Sequence, residues 1–127
     1  MNTNTAFENG TIITDCSLES AKKVDFIPHK SFQGVSLKLL VSGDKTRGAL
    51  SLHLVRVEPH CCLETHEHPP NLEIHKVVSG SGAAVIGGNS AEYHVGSVGV
   101  IPMGVSHKVT AGENGLYILA TFSPAWG

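Results

Sequence analysis

The sequence has no apolar run approaching the roughly 20 residues that a helix needs to cross a bilayer. It also has no block of basic residues and no even, well-spaced set of cysteines. Each absence excludes a class. Nine Lys and Arg against eleven Asp and Glu leave a net charge of −2, so the basic footprint of a nucleic-acid binder is missing. There is no helix-turn-helix pattern either. Cys16, Cys61 and Cys62 are odd in number and two are adjacent, a poor disulfide framework that fits reduced thiols in a reducing compartment. Cys61 and Cys62 read as small packed side chains, with a metal or redox role as the alternative because they lie just before His66. The first ten residues are polar, without the charged start and apolar stretch of a secretory signal. These absences predict a cytoplasmic protein with neither nucleic acid nor membrane as partner. Helical signals are scarce too, limited to a turn or two at residues 17–23.

What is present is strand. The 127 residues, 41% of them hydrophobic, suit one domain around one core. Fourteen glycines punctuate short β-rich runs at 35–41, 50–57, 72–79, 83–86, 97–101, 107–110 and 116–122. Such spacing predicts an all-β sandwich or barrel. Residues 1–33 are looser and predict an N-terminal arm with one or more added strands packed on a barrel formed by 34–127. An arm of this kind can also reach a second subunit. A homodimer is therefore the expectation, and light scattering distinguishes it from a monomer.

Alternation assigns faces, since residues two apart in a strand share one. Glu73, His75 and Val77 fall on one side of their run, and Leu72, Ile74, Lys76 and Val78 on the other. Val105, His107 and Val109 share an apolar face. In the run at 50–57, Leu50, Leu52 and Leu54 oppose Ser51, His53, Val55 and Val57, and both faces read as largely buried.

One stretch concentrates metal-binding chemistry. From His66 to His75 it reads H-E-H-P-P-N-L-E-I-H. His66 and His68, two apart in extended chain, project to the same side and can reach one ion. Pro69, Pro70 and Asn71 break the chain before a strand restarts with Glu73. Glu73 and His75 share a face, so parity alone does not choose between them. His107 follows Glu73 by 34 residues and must be brought alongside on another strand. Imidazoles with a carboxylate suit a borderline divalent ion such as Mn, Fe, Co, Ni or Zn, and are too rich in nitrogen for Mg or Ca.

These residues resemble the two motifs of the small single-domain cupins. The first, G(X)5HXH(X)3-4E(X)6G, is matched by His66-x-His68-x4-Glu73-x6-Gly80. The second, G(X)5PXG(X)2H(X)3N, is matched by Gly96-x5-Pro102-x-Gly104-x2-His107. Two turn positions depart from the pattern: His60 stands for the opening Gly of the first motif and Ala111 for the closing Asn of the second. The resemblance implies a double-stranded β-helix, or jelly-roll, barrel. It implies one divalent transition metal held by His66, His68, Glu73 and His107. It also implies chemistry on a small oxygen-rich ligand such as a carboxylate, hydroxy acid or sugar acid, by a lyase or decarboxylase, dioxygenase or isomerase reaction. A module that binds such a ligand without turning it over is the alternative.

Outside the four ligands the readings stay open. His75 should face inward, as a general acid or base, as a support for the ligands, as an occasional ligand or as a packed histidine; as a proton shuttle it is the candidate catalytic residue. His53 faces either the cavity or the core. Tyr93, His94, Tyr117 and Met103 line a pocket or pack in a core. Lys38, Arg47 and Arg56 are solvated surface charges or hold an anionic substrate. Trp126 packs on a neighbouring subunit or lies on the surface.

Overall fold

The computed structural model describes residues 6–66 and 70–126, with the backbone alone for Thr65 and His66. A small hairpin comes first, pairing β1 (Thr11–Ile13) with β2 (Leu18–Ser20). A 3-10 turn at Ala21–Lys23 follows, its start capped where the Ser20 hydroxyl accepts from the Lys22 N–H at 3.3 Å. Of residues 17–23, where helix was expected, only these last three are helical. The segment buries just Ala21, and without an apolar stripe over several turns a helix has too little packing to hold it.

The main sheet comprises β3 (Ile27–Pro28), β4 (Val35–Val41), β5 (Ser51–Val57), β6 (Cys62–His66), β7 (Leu72–Ile86), β8 (Asn89–His94), β9 (Val98–Ile101) and β10 (His107–Ser123). Hydrogen bonding runs in the order β3-β4-β5-β10-β7-β8, with β6 also on β10 and β9 also on β7. Every pairing is antiparallel.

β7 and β10 are long because the main sheet folds into two facing sheets and each of these strands runs through both. The first half of β7 lies between β9 and the second half of β10; its second half lies between β8 and the first half of β10. Residues from both halves meet in one buried cluster, with Val55, Val77, Ile118 and Phe122 from the first sheet and Leu63, Ala84, Tyr93 and Val109 from the second. The sheets therefore face each other across a common core, the expected jelly-roll barrel.

The sequence reading broke each long strand in two at its glycines. In the fold the strands bend there instead. Gly80 has φ +79°, and a Cβ on it would lie 2.1 Å from the Gly115 carbonyl oxygen; a Cβ on Gly82 would lie 2.1 Å from that of Thr110. The glycines let two backbones approach at the corner, where the register shifts between Ala111 and Leu116. β6 and β8 were not anticipated. β8 is polar and buries only Tyr93, so it carries no alternation to read. It is joined to β7 by the two-residue Gly87-Gly88 turn, with Ile86 opposite Asn89, as tight hairpins favour.

A second core lies on the outer face of the first sheet, where Leu40, Leu54, Tyr117 and Leu119 pack with Ala21, Ile12 and Phe26 of the N-terminal segment. Both faces of β5 are thus covered, as the alternation predicted. Lys38 is buried in this layer. Its ammonium donates to the carbonyls of Glu8 at 2.9 Å and Ala21 at 2.8 Å and lies 5.2 Å from the Phe26 ring, which Arg56 also covers at 4.1 Å. Neither reading of Lys38 as surface charge or anion ligand describes this: the side chain ties the N-terminal segment to the barrel. Among the described residues no helix is long and apolar enough to cross a membrane.

Candidate metal centre

Period-two alternation in the first half of β7 turns Glu73 and His75 into the barrel, 4% and 2% exposed. His107 enters from the other sheet as the first residue of β10, opposite Ile86 of β7 and 1% exposed. The three meet. Glu73 Oε2 lies 2.6 Å from His75 Nε2, and Glu73 Oε1 lies 3.3 Å from His107 Nε2. The two imidazoles stand 5.9 Å apart at 71°. One potential ligand atom from each residue lies within 4.8 Å of the others.

The electrostatics suit a cation. Burial opposes ionisation of Glu73, but hydrogen bonds and charge from His107 and His75 outweigh it and hold the carboxyl well below the usual carboxylate range. An ionised carboxylate with imidazole nitrogens in a buried site is a donor set that fits a borderline divalent ion.

Of the other sequence-predicted ligands, His66 is paired at backbone level: in the β6–β10 ladder it is the register partner of His107. His68 lies outside the described residues. His75 is inward-facing, as expected, and its second ring nitrogen, Nδ1, lies 3.1 Å from the Tyr93 hydroxyl. Tyr93 therefore belongs to this cluster, and burial beside Glu73 pushes its hydroxyl pKa up to about 12. Tyr117 sits in the outer core, and Met103 is 62% exposed.

His53 lies further along the interior. Its Nε2 bonds the Trp126 carbonyl at 2.8 Å, and its ring meets Phe122 edge-on. Burial lowers its pKa against the upward pull of that carbonyl and of Glu73. Trp126 is half-buried and packs against the barrel's own core. Its backbone N–H donates to the Ser51 hydroxyl at 2.8 Å and its ring packs 4.9 Å from Phe122. Asn71 holds the same segment through the Pro124 carbonyl at 2.6 Å. A cavity of about 20 Å³ remains, with Glu73 and His29 as its polar lining and Leu37, Val55, Leu63, Phe122 and Trp126 as its apolar walls. A larger concavity of about 410 Å³, between Ser81, Glu92 and Gly112, contains none of Glu73, His75 or His107. The roles of Trp126, Ser51 and Asn71 escaped sequence reading because their contacts join residues more than 50 positions apart.

The backbone is similar to that of several solved structures. KdgF from Halomonas sp. superposes with a TM-score of 0.72 at 20% identity, over 81% of this chain and 90% of that one. A predicted oxalate decarboxylase from Thermotoga maritima gives 0.72 at 20% identity, over 81% and 95%. A cupin-2 domain from Rhodospirillum rubrum gives 0.71 at 21% identity, over 79% and 69%.

The chain has the cupin fold.

No family model and no curated protein matches the sequence. At these identities the structural likeness speaks to the cupin fold and not to a reaction. Within that fold, the group formed by Glu73, His75 and His107 is one that can hold a metal.

Proposed function

We propose that this cupin-fold chain is a metalloenzyme acting on a small oxygen-rich substrate, a carboxylate, hydroxy acid or sugar acid. The substrate binds at one divalent metal held by His66, His68, Glu73 and His107. The observation that carries this reading is the convergence of Glu73 and His107, from opposite sheets, onto one buried point. The register of His66 opposite His107 supports it for a third ligand, because directly opposed residues are the nearest neighbours across two strands. The name of one similar structure, a predicted oxalate decarboxylase, fits an enzyme.

A bound divalent ion supplies Lewis acidity toward substrate oxygens. The chain's own residues do the rest. Glu73 lowers the charge of the site, His107 fixes its position against the second sheet, and the apolar wall of Leu37, Val55, Leu63, Phe122 and Trp126 excludes water, which strengthens every polar contact inside.

Purified protein should carry about one transition metal per chain by elemental analysis, and His66→Ala should lose it. A wild type that takes up no metal after supplemented growth ends the reading. Small acids and sugar acids should then turn over with metal and not without. Binding that is independent of metal and never gives product points instead to a ligand-binding module.

A further inference from the structure

We infer that His75 is a positioning residue that aims the Glu73 carboxylate, and that Tyr93 and Gly99 lock His75 in place for that task. The inference rests on the reading of Glu73 as a metal ligand.

Both ring nitrogens of His75 are engaged. Nε2 lies 2.6 Å from Glu73 Oε2, and Nδ1 lies 3.1 Å from the Tyr93 hydroxyl. A carboxylate that ligates a metal is ionised and only accepts hydrogen bonds. Nε2 must therefore carry a proton, whichever charge state the ring has, and offers no lone pair to an ion. In the neutral ring Nδ1 is then the acceptor, and the Tyr93 O–H donates to it. The chain of donation runs from Tyr93 to His75 to Glu73 Oε2. It leaves Oε1, on the His107 side at 3.3 Å from Nε2, as the oxygen that faces the ion.

Three strands are shaped around this contact. His75 is on β7, and its register partner on β9 is Gly99. Tyr93 reaches across from β8, with its ring centroid 6.0 Å from that of His75 at 78°. A Cβ on Gly99 would lie 1.9 Å from the Tyr93 hydroxyl oxygen and 3.1 Å from Cζ. The backbone of Gly99 is not in the left-handed region, so this glycine answers a need for space, not for conformation. The vacant position opposite His75 is the seat of the Tyr93 hydroxyl. Support of this kind fixes the orientation of a ligand and raises metal affinity by about 10–100-fold.

The test is a titration of metal-free protein with Cu²⁺ alone, followed by pulsed electron paramagnetic resonance to count coordinated imidazoles. His75→Leu should weaken Cu²⁺ binding about 10–100-fold and keep the wild-type imidazole count. His75→Gln can place an amide N–H near the position of Nε2–H, and should recover part of the loss. Tyr93→Phe keeps the ring in the core and removes only the hydroxyl. It should weaken binding by less than His75→Leu at an unchanged count, and Gly99→Ala should match it. Loss of one imidazole in His75→Leu, with no rescue by Gln, overturns the inference by making His75 a ligand. Unchanged affinity in Tyr93→Phe overturns the lock. Either result leaves the metal site standing if Glu73→Gln and His66→Ala still lose Cu²⁺. A wild type that binds no Cu²⁺ overturns both readings.

Discussion

Lys38 and Glu73 are both charged side chains buried in the first sheet, and their needs are met in opposite ways. Lys38 is on the outer face, where its ammonium is met by backbone carbonyls of Glu8 and Ala21. Glu73 is on the inner face, where its two oxygens are met by the side chains of His75 and His107. Backbone carbonyls hold a cation in place but offer no further chemistry. A converging imidazole and carboxylate, as in His107 and Glu73, can exchange their mutual contact for a metal. Burial of charge alone therefore does not mark a functional site. What marks it is that the partners are themselves metal-binding side chains drawn from separate strands.

The sharpest way to break this contrast is at Glu73. Glu73→Gln keeps the shape and removes the charge. Metal affinity should fall at least about 100-fold, beyond what loss of a supporting hydrogen bond produces. The fold should survive, since the amide fills the same space and its carbonyl can still accept from the His75 ring. Retained metal binding would place the site elsewhere.

Lys38→Met should do the converse. The buried Ala21 carbonyl and the part-buried Glu8 carbonyl lose their donor, and with about 1–3 kcal/mol for a buried unsatisfied group and less for a part-buried one, urea denaturation should show a loss of roughly 2–4 kcal/mol. Metal affinity should stay within about two-fold of wild type, because the substitution lies on the opposite face of the sheet. Loss of metal with little loss of stability would overturn the structural reading of Lys38.

The smallest effect concerns His53, buried beside Trp126 on the inner face. Its folded-state pKa is lowered from the ordinary imidazole value, so the unfolded chain takes up the proton more readily. The corresponding stability is present above about pH 6.5 and is lost as pH falls through that value toward the folded one. Urea midpoints should decline between pH 7.5 and pH 5.5, and less steeply in His53→Gln. Parallel slopes for the two proteins would remove His53 from the account.

Much of the barrel was legible from alternation. The inward face of β7, the apolar surroundings of His107 and the double burial of β5 follow from period two, which is a local property of extended chain. β8 was not legible, because an edge strand with one buried residue has no pattern to show. The continuity of β7 and β10 was hidden for a related reason. Glycine in sequence marks a departure from regular structure, but a corner within a strand and a turn between strands both use it.

At the centre, the stretch from His66 to His75 named the chemistry and its spacing named the resemblance, yet parity left Glu73 and His75 equivalent. Their difference lies in residues the local pattern cannot reach. Tyr93 comes from a neighbouring strand and Gly99 from another, and only pairing across β7, β8 and β9 shows that one fills the space left by the other. By itself the sequence determined the fold class, the faces of the strands and the set of candidate donors, because those depend on side-chain type and a two-residue repeat. Which donors meet, which are tied up by neighbours, and which buried charge is merely structural were decided by the tertiary structure, because each depends on register between strands far apart in the chain.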